Sequence, residues 1–201
     1  MTHRRFIQPA GIMLAGAVFI SVASGQAKSD PQSAVEPRSG PGAGQKFLEQ
    51  FVGEWDVVKT FYSRSGAPSR TTGVCRQSMI HSGRFLQSEF TFQQGDAQTT
   101  GLGIIGFEPA TGTFTSVWTD SRATRVSLRQ SKDQFDGREI VLFSRSLGEG
   151  TDARSSRTVT QLEENGRKIV HRQFTPGDGG TERLMMELVM TRKGDVPPGG
   201  K

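Results

Sequence analysis

The stretch Thr158-Val159-Thr160-Gln161-Leu162-Glu163-Glu164-Asn165-Gly166-Arg167-Lys168-Ile169-Val170-His171-Arg172-Gln173-Phe174 decides the fold. Two runs rich in β-branched residues flank Asn165-Gly166, and both residues of that pair tolerate positive φ, the backbone geometry that reverses a strand tightly. The reading is a β-hairpin with strands over 154–163 and 167–175.

Working outward, the same turn chemistry recurs every ten residues or so. Ser82-Gly83, Gly95-Asp96, Pro109-Ala110-Thr111-Gly112, Asp136-Gly137 and Pro176-Gly177-Asp178-Gly179-Gly180 punctuate short alternating runs. Eight further strands follow, over 55–62, 71–80, 84–93, 98–108, 113–119, 124–130, 138–145 and 181–192. Ten consecutive antiparallel strands leave raw edges unless the sheet closes on itself, so the expected fold is all-β: a single meander β-barrel with a lumen. Lys46 to Val52 breaks the alternation. Phe47, Leu48 and Phe51 fall on one helical face, which predicts a short helix plugging one end of the barrel.

The ends of the chain read differently. Arg4 and Arg5 precede the apolar run Gly11 to Ile20 and then small residues up to Ala27, the layout of a secretory signal peptide over 1–27. That run is about half the roughly twenty residues a membrane span needs, so no stable span is expected after processing. Residues 28–45, with Pro31, Pro37 and Pro41 among polar residues, read as a flexible linker, 46–193 as the barrel domain and 194–201 as a frayed tail. The expected localisation is periplasmic or secreted. The formal net charge is +5, and Arg4 and Arg5 account for two of those charges. The remaining basic residues are scattered and lack interleaved aromatics, which argues against a nucleic-acid partner. Cys75, the single cysteine, reads as a small buried hydrophobe. Oligomeric state is written in no pattern of the chain.

Gly53-Glu54-Trp55 has the Gly-x-Trp form that opens the first strand in lipocalins, fatty-acid-binding proteins and their relatives. The stretch from Gly101 to Asp120, with Gly106-Phe107-Glu108-Pro109-Ala110-Thr111-Gly112 at its centre and Trp118-Thr119-Asp120 at its end, resembles the signature of a bacterial family of unknown function, domain 1579. The likeness runs from about Phe47 to Lys193. It implies a lipocalin-like (calycin) barrel and no assigned activity. It also implies that Arg192 of the last strand packs on Trp55 of the first and closes the barrel base by a cation-π contact, worth about 1 kcal/mol.

Five residues are candidate ligand contacts: Arg76, Glu89, Trp118, Asp120 and His171. Phe114, Ser116, Trp118 and Asp120 share one strand face, but alternation alone leaves open which face is the lumen. In lipid-binding barrels of the resembled class the lumen is partly polar, so Arg76 and Glu89 line a pocket as readily as they face solvent; in the lumen they would orient an amphipathic ligand. Asp120 precedes a reversal and is also a turn cap. A related haem-binding barrel family ligates iron through a histidine on a late strand, where His171 lies; the alternative is a histidine of the lumen wall or surface. No Ser sits in a nucleophile elbow, no cofactor fingerprint is present, and metal-ligand spacing is absent. Leu184, Met186, Leu188 and Met190 alternate on one face of the last strand and offer a self-filled core. The reading is a non-enzymatic barrel holding a small hydrophobic or amphipathic ligand. Its rivals are a cofactor-free cyclase or isomerase using a lumenal carboxylate, and a structural or interaction barrel filled by its own side chains.

Overall fold

In the computed structural model, residues 40–145 and 156–194 are described. The expected signal segment, residues 28–39 of the expected linker, strand positions 154–155 and the tail beyond Gly194 lie outside them.

Helix α1 (Ala43–Glu49) leads into ten strands. They are β1 (Gly53–Phe61), β2 (Ser69–Ile80), β3 (Phe85–Gln94), β4 (Ala97–Glu108), β5 (Thr113–Asp120), β6 (Ser127–Gln130), β7 (Glu139–Arg145), β8 (Arg157–Glu163), β9 (Lys168–Pro176) and β10 (Glu182–Arg192). Each strand pairs antiparallel with its neighbours in sequence, and β10 closes on β1 through a register running from Trp55 with Arg192 to Phe61 with Met186. The sheet therefore has no free edge, as the meander pattern predicts.

The hairpin that anchors the reading forms, with Glu163 opposite Lys168. Its loop is a tight reversal over Glu164–Gly166, in which Glu164, Asn165 and Gly166 all take positive φ, at 51°, 54° and 85°. Helix α1 begins one turn earlier than its apolar spacing suggests. Gln45 explains the shift: its Oε1 accepts from the Gly42 N–H at 2.7 Å while its Nε2 donates to the Phe107 carbonyl at 2.8 Å, pinning the first turn to β4. Strand β6 is shorter than its expected span of 124–130, because the chain spends residues 121–126 in a wide reversal organised by Asp120.

Phase is fixed by burial. Trp55, Val57, Cys75, Leu86, Phe90, Phe92, Phe114, Ile140, Leu142, Ile169, Leu188 and Met190 point inward and form one core. A bulge between Leu184 and Met186 breaks the alternation expected of the last strand, so Met185 and Met186 both reach the lumen and Leu184 does not line it.

The base of the barrel is closed by α1 and the Trp55 region. Trp55 is fully buried, its indole N–H donates to the Phe51 carbonyl at 3.0 Å, and Arg192 stacks on its ring at 4.2 Å. Arg192 also donates to the carbonyls of Val52 (2.6 Å), Gln50 (2.8 Å) and Gly166 (3.0 Å), tying together the helix exit, the β8–β9 turn and the last strand. Phe47, Phe107, Phe114 and Phe135 stack edge-on and tilted around the helix with ring centroids 4.9–6.2 Å apart. Gly44 is required where the helix crosses this cluster, since a Cβ there would enter the Phe107 ring.

Candidate functional site

Above that base the side chains do not fill the lumen, and a cavity of about 430 Å3 remains. Its size falls within the roughly 300–1,000 Å3 of small-molecule pockets. Leu48 of α1 and Phe51 just after it form its floor, and Leu86, Phe90, Leu142, Leu188 and Met190 supply apolar wall.

The polar part of the wall comes from the same inward phase. On β1 the positions after Trp55 and Val57 are Lys59 and Phe61. Lys59 is therefore inward and only 7 % exposed, with its Nζ 3.6 Å above the centroid of the Phe92 ring. Burial, and then the charge of Arg122, lower the pKa of its ammonium, with Asp120 opposing. On β2 and β3 the Gln77 Nε2 donates to Ser88 Oγ at 2.9 Å, while Gln77 Oε1 is buried with no hydrogen-bond partner.

Trp118 and Asp120, on one face of β5, both line the cavity. The Asp120 carboxylate accepts from the Trp118 indole N–H (3.1 Å), the Arg122 backbone N–H (2.9 Å) and the Arg122 guanidinium (2.8 and 3.2 Å). The Arg122 guanidinium above all, and then the two N–H groups, hold this carboxyl far below the usual carboxylate range, against the opposing effect of burial. Asp120 thus caps the turn, as its position suggests, and at the same time fixes the Trp118 ring. The ring needs Gly101 and Gly103 beneath it on β4: a Cβ at Gly101 would run into the Trp118 ring.

His171 of β9 lies across the lumen, with its Nδ1 2.7 Å from Thr160 Oγ1. Burial, and secondarily the positive charge of Arg129, push its pKa down to about 4, so the ring is neutral near pH 7. Arg129 of β6 lines the cavity as well. Its Nε is buried with no hydrogen-bond partner, and it has no ion pair among the described residues. Desolvation lowers its pKa.

The structure brings together Trp118, Asp120 and His171 of the five sequence candidates. Arg76 and Glu89 are not with them. Cys75 and Gln77 take the inward positions of β2, and Ser88 and Phe90 those of β3, so Arg76 and Glu89 stand opposite one another on the outer surface, both exposed. The placement of these two in the lumen is corrected by one residue of strand phase. Lys59, Gln77, Arg122, Arg129 and Thr160 are lumenal groups that the sequence reading missed. Lys59 was recoverable, being in phase with Trp55. Arg129 was not, since β6 is four residues long and carries no large inward apolar residue to set its phase.

Cys75 is 1 % exposed; burial first, and the charge of Glu89 second, raise its thiol pKa to about 12. It is an inert core residue.

A closed ten-stranded meander with a plugged base and an internal cavity defines a lipocalin-like barrel. Residues 40–192 match the family described as protein of unknown function (DUF1579), and the chain belongs to that family. No curated protein matches the chain. Among solved structures, the fold is similar to an S-type phycobiliprotein lyase from Guillardia theta, at TM-score 0.52 and 9 % identity, covering 76 % of this chain and 94 % of that one. It is also similar to Rv2717c from M. tuberculosis, at TM-score 0.55 and 12 % identity, covering 77 % of this chain and 99 % of that one. At such identities these likenesses establish the barrel fold alone.

Proposed function

We propose that this protein is an exported binding barrel that holds a small hydrophobic or amphipathic molecule in its lumen. The observation that carries the reading is the cavity itself: about 430 Å3, apolar over much of its wall, with a few convergent polar groups on the inward faces of β1, β5, β6 and β9. The self-filled barrel fits a lumen without such a space. Acid–base catalysis by a lumenal carboxylate needs a group held near its titration range. Glu89 is on the outside, and Asp120 is locked ionised by Arg122 and Trp118. Export rests on the charged and apolar start of the chain. The phycobiliprotein lyase likeness supports a ligand-holding use of the fold without naming a ligand.

Native mass spectrometry of the protein isolated gently from its own host, with organic extraction, tests the reading. A stoichiometric small molecule is the expected result. An empty protein that also shows no melting shift across a lipid panel overturns it. Haem is the second reading, favoured by the neutral His171 imidazole on the cavity wall. A Soret band that appears on adding haem and vanishes in His171→Ala would put haem in the place of the amphiphile.

A further inference from the structure

The charges of the cavity wall do not balance. Among the described residues, Lys59, Arg122, Arg125 and Arg129 line it against one carboxylate, Asp120. Asp120 is already committed, accepting both Arg122 and Trp118. His171 adds no negative charge and, being neutral, no positive one near pH 7. The charge left without a partner is that of Arg129: its Nε is buried, has no hydrogen-bond acceptor, and the side chain has no ion pair among the described residues. A guanidinium presents a planar fork of donors matched to a carboxylate, and an unpaired buried charge is costly to keep.

Resting on the binding reading above, we propose that the occupant is an anionic amphiphile, an acyl chain ending in a carboxylate, and that Arg129 receives the carboxylate while the chain lies along Leu142, Leu188, Phe90 and Met190. The ligand then supplies the acceptor that Arg129 Nε lacks. Lys59 and Arg125 add positive potential to the same cavity, and the Thr160–His171 pair contributes a polar, uncharged stretch of wall. A neutral lipid would leave Arg129 desolvated and unpaired, and a cationic amphiphile would meet an excess of like charge. Both are disfavoured for the physical reason that selects the anion.

The test compares dodecanoate with 1-dodecanol, equal in chain length, titrated calorimetrically into the purified full chain. The wild-type protein is expected to bind dodecanoate at least about tenfold more tightly, roughly 1.4 kcal/mol. Arg129→Gln is expected to lose that preference, and Arg76→Gln on the outer face, which makes the same change in net charge, to keep it. Equal affinity of the two amphiphiles for the wild type overturns the anion inference and leaves the binding reading standing. A preference that survives in Arg129→Gln overturns the assignment of Arg129 as the carboxylate's partner and also leaves the binding reading standing. Binding of neither amphiphile overturns both. A second measurement needs no variant: the carboxyl carbon of 1-13C-dodecanoate, followed by NMR, is expected to titrate at lower pH bound than free. An unchanged or raised titration point for the bound ligand overturns the pairing.

Discussion

Two arginines set the closed base of this barrel apart from its cavity. At the base, Arg192 donates to three backbone carbonyls, one from each of its nitrogens, and lies on the Trp55 ring. In the lumen above, Arg129 turns the same functional group toward an open space and leaves Nε without an acceptor. The polar groups around the helix follow the first pattern: Gln45 uses both ends of its amide, and the Trp55 indole N–H is bonded. The lumen keeps Gln77 Oε1 unsatisfied as well. A fold that satisfies the buried groups around its plug and leaves some open along its cavity separates the part that holds the barrel shut from the part that receives something.

The contrast breaks if the base is not the stabilising end. Trp55→Ala is expected to cost about 3–5 kcal/mol, because it empties a fully buried indole site and frees Arg192 from its ring. Urea unfolding followed by circular dichroism measures it, and a loss below about 1 kcal/mol would refute the assignment. Arg192→Ala removes a charged donor shared by three carbonyls and is expected to cost about 2–3 kcal/mol by the same assay.

The cavity side of the contrast is sharpened by pH. His171 titrates near 6.5 when unfolded and near 4 in the barrel, so between these values the unfolded chain binds a proton that the native one does not. Stability is thus full above pH 6.5 and declines as pH falls toward 4, by about 1–3 kcal/mol from this group. Comparing the pH dependence of denaturation midpoints for wild type and His171→Gln isolates that share, and identical slopes between pH 6.5 and 4 would exclude it. The smallest effect is expected at Arg129. Arg129→Met in the empty protein is expected to be neutral or to stabilise by about 1 kcal/mol, since it replaces an unpaired charge with an apolar chain. A loss of more than about 2 kcal/mol would place Arg129 with Arg192, among the groups the fold depends on.

How much of this was legible in the chain depended on what each strand carried. The strand count and meander order could be read from turn residues, because glycine and asparagine at the reversals take φ values that other residues resist. The Trp55–Arg192 closure came through the family resemblance. Which way each strand faces was harder. Strand β3 carries Phe85 on one face and Phe90 and Phe92 on the other, and hydrophobicity does not choose between faces when the lumen itself is partly polar. Arg76 and Glu89 fell on the wrong side for that reason. Asp120 was legible as a turn cap from its position before a reversal, but its grip on the Trp118 indole and the Arg122 guanidinium depends on side-chain directions that strand spacing does not encode.

The pairing of β1 with β10 carries a consequence for how the molecule is made. One edge of the segment from Trp55 to Phe61 pairs with the neighbouring β2, but the other edge finds its partner in Met186 to Arg192, at the far end of the folded unit. Its contacts are among the most distant in sequence that the chain makes, and closing so long a loop delays their formation. Until the last strand is available, β1 and β9 both present unpaired backbone, the sticky edges on which half-made sheets aggregate. The barrel is completed only when its last strand has been made and can reach its first.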